Sequence, residues 1–182
     1  MSRNALVIGG TGMLKDVTIW LHKQGYTVSV IGRNAKRMAD IMEQTDSPES
    51  ILPICVDYRN EKQFRQAMVK LANTENPIDL VVSWIHSDAP VAFATMTKYL
   101  SRAAKEDWRL FHIRGSAAHL STETVFVPEN CLYREVILGF IIENDTSRWL
   151  THQEISSGVI QAIKGDRKKS IVGCVEPWDM RP

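Results

Sequence analysis

The chain has 182 residues, 44% of them hydrophobic and 24% charged, a composition expected of one globular domain with a real core. Its 22 Lys and Arg against 21 Asp and Glu leave a formal net charge of +1, which gives no reason to expect nucleic acid or an anionic membrane as partner. The longest apolar run, Val136–Ile142, is far shorter than the roughly 20 residues of a membrane-spanning helix, and no leader-like stretch precedes Leu6. Cys55, Cys131 and Cys174 lie far apart in apolar contexts; they read as reduced core residues of a cytoplasmic protein.

In chain order, Leu6–Ile8 reads as a strand, and a helix starting at Met13 carries Leu14, Val17 and Leu21 on one face and stops at Gly25. Thr27–Ile31 is a β-branched strand. Asn34 caps a helix with an inner stripe of Ala35, Met38, Ile41 and Met42. After the turn at Asp46-Ser47-Pro48, Ile51–Val56 is the third strand. Asn60 with Gln63 resembles a capping box, ahead of Phe64, Ala67, Met68 and Leu71 at helical spacing. Ile78–Ser83 is the fourth strand, a helix runs from about Pro90 to Lys105, and Arg109–Ile113 is the fifth strand. The alternation then fails. Gly115–Asn130 contains no convincing helix, and Tyr133–Ile142 reads as one apolar strand. Thr151 and Glu154 form a capping box with Leu150 placed to staple Ile155. The last strand is Ser170–Val175, followed by a tail, Glu176–Pro182, too rich in proline to be regular. The pattern implies an α/β fold: a three-layer, doubly wound parallel sheet in a single domain, 1–182.

The most telling stretch is Ala5-Leu-Val-Ile-Gly-Gly-Thr-Gly12. A strand, a glycine-dense turn and a helix in that order bring backbone N–H groups and a helix N-terminus to a pyrophosphate, as in the Rossmann unit. Gly9, Thr11, Gly12 and Met13 are therefore candidate cofactor residues. At the end of strand two an NAD site usually has an acid for the ribose hydroxyls; here Gly32 is followed by Arg33, which argues for a 2′-phosphate with Asn34 and Arg37 as helpers, hence NADP(H). Ligands in such sheets bind at the C-terminal strand ends, which makes Ser83, Trp84 and His86 after strand four and Arg114 and Ser116 after strand five candidates. His86 suits proton donation near neutral pH and Arg114 suits holding a carboxylate or phosphate. The alternatives are a backbone-bonded loop histidine and a surface ion pair. His112, inside a strand, reads as a core histidine. No His, Cys, Asp or Glu group has metal-ligand spacing.

Gly9-Gly10-Thr11-Gly12, Ile31-Gly32-Arg33-Asn34, Val56-Asp57 and Trp149–Ile155 together resemble the motifs of the short-chain dehydrogenase/reductase superfamily, in its atypical branch. The resemblance spans nearly the whole chain. It implies that Asp57 accepts the adenine amino group with Tyr58 beside it, that Ser116 matches the family's serine, and that the protein is an oxidoreductase. Two departures stand out. Lys15 takes the place of the third glycine, which normally lets the helix pack closely on the strand. The family's Tyr-x-x-x-Lys pair, in which the lysine lowers the tyrosine pKa for proton transfer, is missing after strand five; the one such spacing, Tyr58–Lys62, lies near the expected adenine. Two readings follow. One is an NADP(H)-dependent reductase of a small carbonyl or imine substrate, with non-standard catalytic groups His86, Arg114 and Ser116. The other is a dinucleotide sensor without turnover. The exposed edge at the last strand and Trp178 in the tail imply a homo-oligomer, most simply a dimer.

Overall fold

The computed structural model describes residues 3–182. From the N-terminus it runs β1 (Arg3–Ile8), α1 (Lys15–Lys23), β2 (Tyr26–Gly32), α2 (Ala35–Glu43), β3 (Ile51–Cys55), α3 (Glu61–Ala72) and β4 (Leu80–Ser83). It continues with α4 (Pro90–Ala103), β5 (Trp108–Gly115), β6 (Cys131–Leu138), β7 (Phe140–Glu143), β8 (Thr146–Trp149), α5 (His152–Gly165) and β9 (Lys169–Val172). Seven strands form one sheet in the order β3-β2-β1-β4-β5-β6-β9, every neighbouring pair parallel. The expected doubly wound sheet is present. Central strands that are covered on both faces cannot alternate apolar with polar, and Ala5–Ile8 and Leu80–Val82 are accordingly apolar and fully buried. One face packs Val7, Val30, Val82, Phe111 and Val136 against α1, α2 and α5; the other packs Leu6, Ile8, Val81 and Leu110 against α3 and α4.

The helices start where capping chemistry puts them. Asn34 accepts from the Arg37 amide at 3.0 Å and Asn60 from the Gln63 amide at 3.1 Å. Thr151 and Glu154 form a reciprocal capping box, the Thr151 amide donating to Glu154 at 2.8 Å and the Glu154 amide to Thr151 Oγ1 at 3.2 Å. Arg148 and the Thr151 amide together hold the Glu154 carboxyl down at about 2. The first helix begins at Lys15, two residues later than expected.

The structure corrects the sequence reading in three places, two of them in the second half. Tyr133–Ile142 is not one strand. It breaks at Gly139, and Phe140–Glu143 leaves the main sheet to pair antiparallel with β8 as a separate hairpin. At the break two backbones cross: Phe140 N donates to Cys174 O and Cys174 N to Phe140 O, both at 2.9 Å. A Cβ on Gly139 would lie 1.9 Å from the Cys174 carbonyl oxygen, so only glycine permits the crossing. For the same reason the last strand is Lys169–Val172 rather than Ser170–Val175; the chain turns away to make this crossing. Finally, Cys55 is exposed rather than in the core, because β3 is an edge strand with its outer residues uncovered; Cys131 is buried and Cys174 partly so.

Between β5 and β6, where each earlier pair of strands is joined through a helix, there is a short 3-10 turn, Ser116–Leu120, and then extended chain to Asn130. The sheet face beneath carries polar side chains. Arg114 pairs with Glu135 at 2.7 Å, and Lys169 approaches the same carboxylate at 3.6 Å.

Candidate active site at the C-terminal strand ends

Because the strands are parallel, Ile8, Gly32, Cys55, Ser83, Gly115 and Leu138 all finish on one edge of the sheet. The helices after β1 and β4 leave to opposite faces, so this edge opens between β1 and β4, where ligands enter such sheets. The glycine turn lies at that opening. Gly12 borders open space, while Gly10 is the point of close packing: a Cβ there would meet Thr18 Oγ1 at 2.8 Å and Val7 and Val30 Cγ1 at 2.9 Å. Gly10 thus supplies the strand–helix approach that Lys15 cannot, and Lys15 stays half-buried at the helix start. Leu14 at the N-cap of α1 offers no capping side chain, which leaves the first helical amides with room for an acceptor from a ligand.

On the β2–β3 side, Arg33 reaches across to Asp57 at 3.6 Å, with 70% of its side chain exposed. The Asp57 carboxylate also accepts from the Arg59 amide at 3.0 Å. Asn34 uses its side-chain oxygen to cap α2. Tyr58 joins the loop after β3 to the loop after β4: its hydroxyl takes Arg59 at 3.1 Å and the His86 amide at 3.4 Å. Arg59 completes this link with two 3.1 Å bonds to Asp88.

Two adjoining clefts occupy the rest of the edge. The larger, about 550 Å³, lies between β4 and β5 and is lined by Trp84, His86, Phe93, His112 and Arg114 among others. Trp84 Nε1 donates to His86 Nε2 at 3.1 Å. In that bond His86 Nε2 is the acceptor. Ser83 is fully buried at the end of β4, and its Oγ has no hydrogen-bond partner. His112 stands beside it on β5, as the register Ser83↔His112 requires. Burial, and secondarily the Arg114 charge, push the His112 pKa down to about 3. It is a neutral imidazole whose Nδ1 sits 3.0 Å from the Tyr133 hydroxyl. Burial, reinforced by the Glu135 charge, raises the Tyr133 pKa. The Arg114 charge lies close enough to that phenol to oppose, weakly, the upward shift. Arg114 itself has its charge balanced by Glu135.

The smaller cleft, about 330 Å³, adjoins the larger at Trp84, Gly115 and Ala117 and extends from Met13 to Leu138, Leu150 and Ile155. Ser116 lies in its wall, 3% exposed, and accepts a 2.8 Å hydrogen bond from Arg181 Nε. Sequence reasoning missed Arg181. The tail that carries it is fastened by Glu176, 3.3 Å from His119 Nε2, and its guanidinium lies 4.9 Å from the Trp149 ring and 5.2 Å from the Trp178 ring. The structure therefore places Trp84, His86 and Ser116 in the walls of the two adjoining clefts, with Ser83 buried at the end of β4, and Arg33, Asn34 and Asp57 on the β2–β3 side, while Tyr58 reaches from that side to the His86 amide.

No protein-family model matches the chain, and no curated protein sequence does either. Solved structures do match. A short-chain dehydrogenase/reductase from Brucella melitensis superposes with a TM-score of 0.70 over 93% of this chain and 94% of its own, at 14% identity. YwfH, an NADPH-dependent reductase involved in bacilysin biosynthesis, gives 0.73 over 94% and 96%, also at 14% identity. RhlG of Pseudomonas aeruginosa, solved as an NADP active-site complex, gives 0.65 over 94% of each chain at 16% identity. The chain shares the fold of the short-chain dehydrogenases/reductases. Among the described residues no helix is long and apolar enough to cross a membrane, and no group of His, Cys, Asp and Glu could hold a metal ion.

Proposed function

We propose that this protein is an NADP(H)-dependent oxidoreductase that works without a Tyr-x-x-x-Lys pair. The observation that carries the cofactor reading is Arg33: a largely exposed cation at the end of β2, beside a glycine where an NAD site would have an acid, held only loosely by Asp57 at 3.6 Å. Gly9, Thr11, Gly12 and Met13, with the uncapped start of α1, suit the pyrophosphate. Arg33 and Asn34 suit the 2′-phosphate, Asp57 and Tyr58 the adenine, and Ser83 and Trp84 the sugar and ring beyond. The orphaned Ser83 hydroxyl, buried at the end of β4, is a polar atom that a ligand there would satisfy. Two similar structures whose descriptions name NADPH or NADP point the same way. When bound, the reduced dinucleotide supplies the hydride.

What remains for the protein is to hold the substrate and stabilise charge on its oxygen. Ser116 is the best placed donor. Because its oxygen accepts from Arg181, its own proton is free to be donated, and the adjacent cation strengthens that donation. His86, in the wall of the larger cleft, is a second candidate donor. Arg114, held by Glu135, lines the larger cleft beside His112. A small carbonyl or imine compound fits this arrangement, and a two-fold partner along the β9 edge, where Ile171 is 43% exposed, would make the protein a homodimer.

The test is fluorescence titration with NADPH and NADH. NADPH should bind more tightly, and Arg33→Ala should abolish the difference, since a charge-assisted phosphate contact contributes roughly 1.5–3 kcal/mol. Equal affinities in the parent protein would remove the reading. The polar segment in place of a helix after β5 favours a second possibility, a sensor: tight NADPH binding with no turnover across a broad carbonyl panel would establish it.

A further inference from the structure

We infer that the smaller cleft binds the carboxylate of a 2-oxo or 2-hydroxy acid through Arg181. This rests on the oxidoreductase reading for the chemistry, but the anion site stands on its own geometry. Arg181 commits Nε to Ser116 and makes no ion pair among the described residues, although it lies against two indole rings. Nearly every other wall of the cleft is apolar: Met13, Leu138, Leu150 and Ile155. Arg181 is exposed, and a guanidinium that borders apolar walls with no counter-charge within ion-pair distance among the described residues is free to take an anion through a charge-assisted, bidentate contact.

The geometry narrows the anion further. With Nε on Ser116, the two terminal nitrogens of the guanidinium stay available as the fork that matches a carboxylate bidentately. The Ser116 hydroxyl is hydrogen-bonded to that same guanidinium, so a group bonded directly to the carboxylate carbon is brought to the serine. In a 2-oxo acid that group is the carbonyl. Reduction would balance simply: with the hydride that a bound reduced dinucleotide would supply, the carbonyl carbon would gain that hydride, its oxygen would take the bonding pair and a proton from water, and a 2-hydroxy acid and the oxidised dinucleotide would result. A cleft of about 330 Å³ is at the lower end of ligand-site volumes, which suits an acid of a few carbons beside a nicotinamide. A long acyl chain does not fit there.

Oxamate, an unreactive mimic of a small 2-oxo acid, is the probe. Calorimetry with NADP+ present should show oxamate binding to the parent protein. Arg181→Met should weaken it about 10- to 100-fold, with Arg181→Lys between the two, while NADPH affinity measured by fluorescence stays within about twofold of the parent. In turnover, 2-oxobutyrate should exceed butanone, and Arg181→Met should erase that preference. Unchanged oxamate binding in Arg181→Met overturns the inference. So does a loss of NADPH affinity in that variant, which would make Arg181 a ligand of the cofactor phosphates. NADPH binding without any oxamate binding also overturns it and leaves the cofactor reading intact. Arg181-dependent oxamate binding by a protein that ignores NADPH keeps the anion site and removes the oxidoreductase reading.

Discussion

His112 makes the stability of this protein depend on pH in a direction that can be worked out beforehand. In the folded chain its imidazole is 8% exposed and neutral down to about 3, against an ordinary value of 6.5. Below pH 6.5 the unfolded chain takes up a proton that the folded chain refuses, so acid favours unfolding. The stabilising contribution is fully present above the unfolded pKa and is lost progressively as the pH falls towards the folded one. Each pH unit in that window costs about 1.4 kcal/mol. Going from neutral pH to about pH 4.5 therefore removes roughly 2.7 kcal/mol, a large part of the 5–15 kcal/mol that domains usually have. Urea unfolding near pH 7 and near pH 4.5, on the parent and on His112→Gln, isolates this effect from the carboxylates common to both. Glutamine takes up no proton in this range, so the variant should start less stable but lose about 2–3 kcal/mol less between the two pH values. Equal losses in the two proteins would show that His112 is not held neutral by its surroundings.

Three further outcomes are expected. Cys55, exposed on β3, should react with a maleimide at mildly alkaline pH while Cys131, whose thiol burial pushes up to about 12, stays unmodified in the native protein; mass spectrometry of peptides after a timed quench would show Cys55 unmodified as well if the β3 edge were covered. Thr151→Ala should cost about 1 kcal/mol in urea unfolding by removing one half of the capping box, and an unchanged midpoint would mean that the box adds nothing to α5. Ser116→Ala should lower kcat on any accepted substrate by about 10²–10⁴-fold with NADPH affinity preserved, and a variant as fast as its parent would exclude the hydroxyl from the chemistry.

The first five strands and four helices were legible in the sequence because each carries its own local signal: Asn34 and Asn60 as caps, the apolar stripe Phe64–Leu71, and the glycine turn after Ile8. The hairpin was not legible in the same way. No charged residue interrupts the run from Val136 to Ile142, and what ends β6 is a crossing with Cys174, a contact across 34 residues that no local pattern records. A signal was nevertheless present. Asn144 and Asp145, both at positive φ, form the two-residue turn that joins hairpin strands, and this residue pair is suited to it. At the site, residues on the turn and strand ends were found from position alone. Arg181 was not, because its meaning depends on how the tail folds back over Ser116. Cys55 was misjudged since an apolar neighbourhood in sequence does not reveal that a strand lies at the edge.

The polar face between β5 and β9 also bears on how this chain could be re-engineered. Supplying the helix that other connections of the sheet possess would not be a matter of lengthening residues 121–130. A new helix would settle over Arg114, Glu135 and Lys169, stripping water from three charges whose mutual attraction repays such a loss only with near-perfect geometry. Grafting therefore requires apolar replacements on three separate strands before the inserted segment has anything to pack against. The short connection and the charges beneath it form a matched pair, and exchanging one without the other yields a helix that stays undocked.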